Sequence, residues 1–147
     1  MKFLILLLAF SVAYGQLPFT CIHDNHDKRT TEHVIHMVLT DMDHDDDGKI
    51  TAIEVMGTFI VDFDRNPLDQ RIDHDEFVKR WEAHYRDIRH FATYLFLHLD
   101  TNNDHYITTA DVSNILLDMD YDRDGTVTAM EFKEWLRDLY TNCRIHN

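Results

Sequence analysis

Carboxylates recur at alternating positions in two places: Asp43, Asp45 and Asp47 followed by Gly48 and Glu54, and Asp120, Asp122 and Asp124 followed by Gly125 and Glu131. Alternating acids closed by a distant glutamate describe a twelve-residue loop wrapped around a hard divalent cation. Positions 1, 3 and 5 supply carboxylate oxygens, and position 7 (Lys49, Thr126) supplies its backbone carbonyl. Position 9 (Thr51, Thr128) contributes directly or through water, and the position-12 glutamate closes the cage with both oxygens. Gly48 and Gly125 at position 6 permit the positive φ of a sharp turn without a Cβ clash. Ile50 and Val127 at position 8 are apolar, as fits a short β-bridge between two such loops. The competing reading is a pair of solvated acidic loops, but that reading demands neither the glycine, the apolar position nor the closing glutamate.

Both stretches resemble the EF-hand superfamily, whose motif joins these requirements at this spacing. The oxygen-only ligand set favours Ca2+ over Zn2+ or Cu2+.

The chain also repeats itself. Val34, Val38, Leu39, Met42, Asp43, Ile50, Thr51 and Val55 recur 57 residues later as Phe91, Leu95, Phe96, Leu99, Asp100, Ile107, Thr108 and Val112. Each half then ends in a similar helical stretch, with Phe77, Trp81 and Tyr85 in one and Phe132, Leu136 and Tyr140 in the other. Their helical spacing marks these aromatics as core. The expected fold is all-α: four EF-hand-like helix–loop–helix units in one compact domain, with short β-bridges between paired loops. The expected division is a signal segment 1–15, an N-terminal extension 16–30, units one and two in 31–86 with the second degenerate, and units three and four in 87–147.

The third loop, Asp100 to Asp111, keeps a candidate ligand at every position through Asp100, Asn102, Asp104, Tyr106 and Asp111. It departs twice. His105 stands in place of glycine, which a histidine tolerates at some cost. Asp111 stands in place of glutamate and is one methylene shorter, which weakens bidentate closure and predicts a low-affinity site. The second loop is the doubtful one. Counted back twelve from Glu76 it begins at Arg65 with Pro67 at position 3, which cannot form a cage. Counted from Asp62 it is three residues too long. It reads as a structural loop that retains Ile72 for pairing and binds no metal.

Spacing dictates how the units pair. Asp62 follows Glu54 by eight positions and Asp120 follows Asp111 by nine, so one helix must serve both neighbouring loops. A helix of about ten residues is roughly 15 Å long and holds its two loops at opposite ends. Glu76 and Asp111 are 35 positions apart, room for two helices and a turn. Loops two and three are therefore expected to pair at one end of the molecule, and loops one and four at the other. That arrangement also brings the two ends of the chain together.

Lys2 followed by the apolar run Phe3 to Val12 and the small residues of Ala13-Tyr14-Gly15 reads as a secretory signal cleaved after Gly15. The run is too short to span a bilayer. Removing residues 1–15 takes away Lys2 and no acid, so the formal charge moves from −13 to −14. So acidic a chain repels nucleic acid and anionic membranes and attracts cations and basic partners. Cys21 and Cys143 are the only cysteines. In a secreted chain an even pair suggests a disulfide, with free thiols or an intermolecular bond as the alternatives. There is no Asn-x-Ser/Thr sequon.

The chain has eleven histidines, with His23/His26 and His33/His36 each three apart. Imidazole suits Zn2+ and Cu2+, but no carboxylate or cysteine completes a set, so solvated or capping roles are expected. No nucleophile elbow, phosphate-cradling glycine loop or catalytic Cys–His context is present, and an enzyme is not expected. The expectation is a secreted, extracellular, monomeric calcium-ion-binding protein, constitutively loaded at millimolar Ca2+. It would store Ca2+ or interact with calcium mineral or matrix proteins. The layout is similar to small secreted EF-hand proteins of invertebrate mineralising tissues, and the mineral role is what that resemblance implies. The alternative is a Ca2+-dependent regulatory module that exposes Met37, Met42, Met56, Met119 and Met130 as a groove for a partner helix. Against it, the helical spacing of these methionines suits core packing.

Overall fold

A computed structural model describes residues 20–24, 28–65 and 68–143. The expected signal segment, its cleavage point, His26 and Pro67 lie outside the described residues.

The first helix, α1 (Thr31–Met42), starts where the Thr30 side chain accepts from His33 N and buries Val34, Ile35, Val38 and Met42 along one face. Strand β1 (Lys49–Ile50) follows, and then α2 (Ala52–Val55), which continues without a break into a π-helical segment, Met56–Val61. Strand β2 (Ile72–Asp73) leads into α3 (His74–Tyr85), which ends at Arg86 in the left-handed region (φ 52°). The helix α4 (Arg89–Leu99) then runs to β3 (Tyr106–Ile107), α5 (Val112–Met119), β4 (Val127–Thr128) and α6 (Ala129–Asn142). A single helical stretch therefore joins the first pair of loops, and α5 alone joins the second pair.

The strands pair as the spacing predicts. β1 lies antiparallel to β4, with Ile50 opposite Val127, and β2 lies antiparallel to β3, with Ile72 opposite Ile107. Every one of these four side chains is buried, so each bridge is sealed by the apolar position-8 residues of both loops. α3 packs on α4, and α1 packs on α6.

Aromatic rings fill the space between. Phe63 stacks on Phe77 at 5.1 Å between centroids, Trp81 meets Tyr85 at 4.5 Å, and Phe91 stacks on Tyr140 at 3.5 Å. Phe77, Trp81, Tyr85, Phe132, Leu136 and Tyr140, assigned to the core by periodicity, are all fully buried. Asp87 is also fully buried and is held by donors: Trp81 Nε1 at 2.7 Å, Tyr140 Oη at 2.5 Å and Ile88 N at 2.7 Å. Such satisfaction is what a buried carboxylate requires. Burial, followed by the charge of Asp87 and its hydrogen bond, pushes the Tyr140 hydroxyl well above the usual phenol range.

The first and last described stretches meet at a disulfide between Cys21 and Cys143, whose Cα atoms are 5.5 Å apart and which are 122 residues apart in sequence. Cys21 N donates to Tyr140 O at 2.9 Å, and His23 N donates to Thr31 Oγ1 at 2.9 Å. The N-terminal stretch is thereby laid against both α6 and α1. Of the methionines, Met42 and Met119 are fully buried, Met37 and Met56 pack partly buried against the core, and Met130 is exposed. Among the described residues no helix is long and apolar enough to cross a membrane.

Candidate metal centre

Each of the two glycine-containing loops begins as a helix ends. Asp43 N donates to Leu39 O at 2.8 Å and Asp120 N donates to Leu116 O at 3.0 Å, so each first ligand position is also a helix C-cap. The first carboxylate is then fixed by the loop that follows. Asp43 Oδ1 accepts from Asp47 N at 3.1 Å and Oδ2 accepts from Gly48 N at 3.0 Å. Asp120 repeats this with Asp124 N at 3.2 Å and Gly125 N at 2.9 Å. Asp45 Oδ1 accepts from Asp47 N, Asp47 Oδ1 from Lys49 N, Asp122 Oδ1 from Asp124 N and Asp124 Oδ1 from Thr126 N, at 2.8–3.3 Å. These bonds fold the backbone over the acids and leave carboxylate lone pairs facing one another.

The closing glutamates come from the next helix. Glu54 Oε1 accepts from His44 N at 3.0 Å, while Oε2 accepts from Thr51 N and Thr51 Oγ1 at 2.8 and 2.7 Å. Glu131 makes the same set with Tyr121 N at 3.1 Å and with Thr128 N and Oγ1, both at 2.8 Å. The threonine hydroxyls in turn accept from Glu54 N and Glu131 N, making α2 and α6 begin with a capping box. The position-9 threonines thereby orient the closing glutamates.

Two groups of acids result. Ligand oxygens of Asp43, Asp45 and Glu54 lie within 4.8 Å of one another, and so do those of Asp120, Asp122 and Glu131. Glu54 is 9% exposed, and burial raises its carboxyl, but bonds from Thr51, His44 and Asp45 outweigh that and hold it below the usual range. At Glu131 the Thr128 backbone bond lowers the carboxyl most, followed by the Thr128 hydroxyl. The two closing glutamates are thus held toward the charged form, and both groups are all-oxygen and close together, which is the donor chemistry a hard cation needs. Lys49 and Thr126 lie at the same relative positions, in or beside the paired strands.

The third loop carries the same ladder. Asp100 accepts from Asp104 N and His105 N, both at 3.0 Å, Asn102 Oδ1 from Asp104 N at 2.9 Å, and Asp104 Oδ1 from Tyr106 N at 3.0 Å. His105 takes φ 73°, beside 79° at Gly48 and 87° at Gly125, so the histidine does adopt the left-handed turn. Asp111 reaches the position held elsewhere by the glutamate. Its Oδ1 accepts from Thr101 N at 3.0 Å, and its Oδ2 accepts from Thr108 N at 2.9 Å. The shorter side chain makes that reach by drawing in the backbone. α5 begins only at Val112, with no side-chain cap, whereas α2 and α6 begin directly after their threonines. Among the described residues Asp100, Asp104 and Asp111 form no three-carboxylate group like those of the other two loops.

The second loop is opened by neither Arg65 nor Asp62. Asp64 N donates to Ile60 O at 3.0 Å, the C-cap bond of the other first positions. Asp64 Oδ1 accepts from Asp69 N at 3.3 Å and Oδ2 from Gln70 N at 2.7 Å. Asp69 Oδ1 accepts from Arg71 N, and Gln70 takes φ 64°. The loop therefore runs from Asp64 to Glu76, one residue longer than its partners, with Gln70 in the glycine position.

A further feature was not read from the sequence. Asp46, Asn103 and Arg123, at position 4 of three loops, all have φ of 56–58°. Asp and Asn visit this region readily, so two of the three carried a signal, whereas arginine does not advertise it. His33 and His36 are both exposed on α1, and His23 places Nε2 3.2 Å from Asp87 Oδ1.

A family model described as EF hand matches residues 115–136, which take in the later part of α5, the fourth loop and the first half of α6. This match supports membership of the EF-hand superfamily. No curated protein and no solved structure matches the chain. EF-hand domains bind Ca2+, and Ca2+ is the cofactor that the match assigns to this chain.

Proposed function

We propose that this member of the EF-hand superfamily is a secreted, acidic, monomeric calcium-binding protein. In this reading it is not an enzyme, and it carries Ca2+ constitutively in the loops Asp43–Glu54 and Asp120–Glu131. The carrying observation is that the two loops, 77 residues apart, gather three carboxylates each through the same set of backbone bonds. Asp43, Asp45, Asp47, Lys49 and Glu54 would hold one ion, and Asp120, Asp122, Asp124, Thr126 and Glu131 a second. Asp100, Asn102, Asp104, Tyr106 and Asp111 would hold a third more weakly, because Asp111 closes its loop only by distorting the start of α5. Bound Ca2+ supplies a divalent charge that offsets part of the acidic repulsion, coupling ion uptake to folding.

Four helix–loop–helix units arranged as two end-to-end pairs are the architecture behind this reading. The signal-like residues 1–15 and the single disulfide support secretion, and a millimolar extracellular supply would keep the two strong loops filled. Storage of Ca2+ or attachment to calcium mineral is the role proposed, as in the invertebrate mineralising-tissue proteins that the layout resembles. The burial of Met42 and Met119 favours a loaded, static core over a groove that opens.

Three measurements test this. Chelation should lower the melting temperature; a site filled to 100 times its dissociation constant stabilises by about 2.7 kcal/mol. An apolar-surface dye should report no added exposure when Ca2+ is restored, and a rise in dye binding would favour a sensor instead. Failure to adsorb to calcium carbonate or phosphate would remove the mineral role alone.

A further inference from the structure

Besides the two acidic groups, a third cluster of potential ligands lies at the far end of α6. Ligand atoms of Cys21, Cys143 and His90 lie within 4.8 Å of one another. The two sulfurs are joined as the disulfide, and the His90 ring stands beside it. We propose that these three residues form a thiol–imidazole site for a borderline-soft transition-metal ion of the Zn2+ type, closed by the disulfide and opened by its reduction.

The argument rests on how the three residues are held. Cys21 is fixed by the bond from its own N to Tyr140 O at 2.9 Å, and its carbonyl oxygen is 3.0 Å from His23 Nδ1. Cys143 caps the end of α6, and His90 sits in the first turn of α4. Three separate stretches of the chain therefore present the three side chains. The Cα atoms of the cysteines are 5.5 Å apart, so two thiolates about 3.8 Å apart, as tetrahedral Zn–S bonds require, need side-chain rotation rather than backbone movement. Cys21 and Cys143 are 1% and 0% exposed, and a buried thiolate pair is costly unless a cation neutralises it. Two sulfurs and an imidazole select Zn2+-type ions, whereas the oxygen loops select Ca2+, so the two metal chemistries would not compete. Three protein ligands leave one tetrahedral position for solvent.

The redox step balances with a thiol reductant. Two electrons and two protons convert the S–S bond into two thiols, the reductant leaves as its own disulfide, and metal binding then releases the thiol protons.

The test uses the full chain with Ca2+ in excess, reduced by a phosphine, which leaves as its oxide, and titrated with Co2+ as a spectroscopic stand-in. The reduced protein should take up one Co2+ with a thiolate-to-cobalt charge-transfer band that Zn2+ abolishes, and the oxidised protein should show no such band. Cys21→Ser and Cys143→Ser should each remove the band. His90→Ala should weaken Co2+ binding by the reduced protein roughly tenfold or more, as expected when a residue that supports the metal is lost. Absence of the band in reduced, helical protein would overturn the proposal. So would an unchanged affinity in His90→Ala, or loss of helical circular dichroism on reduction. Calcium uptake is read separately on the oxidised protein, so a failure there bears on the oxygen loops and not on this site.

Discussion

The position-12 acids carry two duties that substitution can separate. Glu131 closes the carboxylate group and also completes the capping box of α6 with Thr128. Glutamine can serve the box but brings no charge. Glu131→Gln should therefore leave the melting temperature of the Ca2+-free protein within a few degrees and weaken one calcium site about tenfold or more, or about 1.4 kcal/mol per factor of ten. Calorimetry and thermal melts with chelator would check both halves. Asp111 is the complementary case, because its carboxylate makes the right bonds only by delaying the start of α5. Asp111→Glu should let α5 begin just after Thr108 and tighten the third site, detectable as a calorimetric isotherm with a third step closer to the first two. These residues were legible in sequence because carboxylate spacing is a strong pattern. The start of the second loop was not legible. One extra residue between Asp64 and Asp69 leaves the backbone bonds intact but breaks any fixed-spacing count.

The pairing of elements follows from helix length more than from loop chemistry. A helix shared by two loops keeps them at opposite ends, and the apolar position-8 residues then find partners only across the repeat, Ile50 with Val127 and Ile72 with Ile107. This much could be read from two spacings. The widening of the first shared helix into π geometry over Met56–Val61 could not, since no residue type or spacing marks it; Phe59 and Phe63 from this stretch and its end both meet Phe77 in the core. The α1–α6 contact carries a pair between Glu32 and Arg137, with both guanidinium bonds at 2.9 Å. That hydrogen bond, helped by the charges of Arg137 and Lys133, holds the Glu32 carboxyl below its ordinary value against the opposing effect of burial. A carboxyl lowered in the folded state adds stability above the unfolded value and loses it as pH falls through the folded value. Glu32→Gln should cost about 0.5 kcal/mol at pH 7, the range for an exposed pair. The cost should shrink as pH falls from the ordinary carboxylate value through the lower folded one, as seen in denaturant midpoints followed down in pH.

At the scale of the whole described molecule, the fold closes on itself between Cys21 and Cys143. Loops one and four pair, α1 packs on α6, and the disulfide joins residues 122 apart, so the first and last parts of the chain are one structural unit. On the chain-entropy account, a loop of that length gives about 4–5 kcal/mol. Replacing both cysteines by serine should lower the denaturant midpoint accordingly, and Ca2+ should raise the midpoints of parent and variant alike, because ion binding independently favours the folded state. Charge acts in the opposite sense: with a formal charge of −13, the chain repels itself most strongly when no cations are bound. The most direct test of the central claim is a calorimetric Ca2+ titration of the oxidised protein beside its Glu54→Gln/Glu131→Gln double variant. The account predicts two tight sites and one weak site in the parent and loss of the two tight ones in the variant. An unchanged isotherm in the variant, or no Ca2+ uptake by the parent at millimolar concentration, would contradict it.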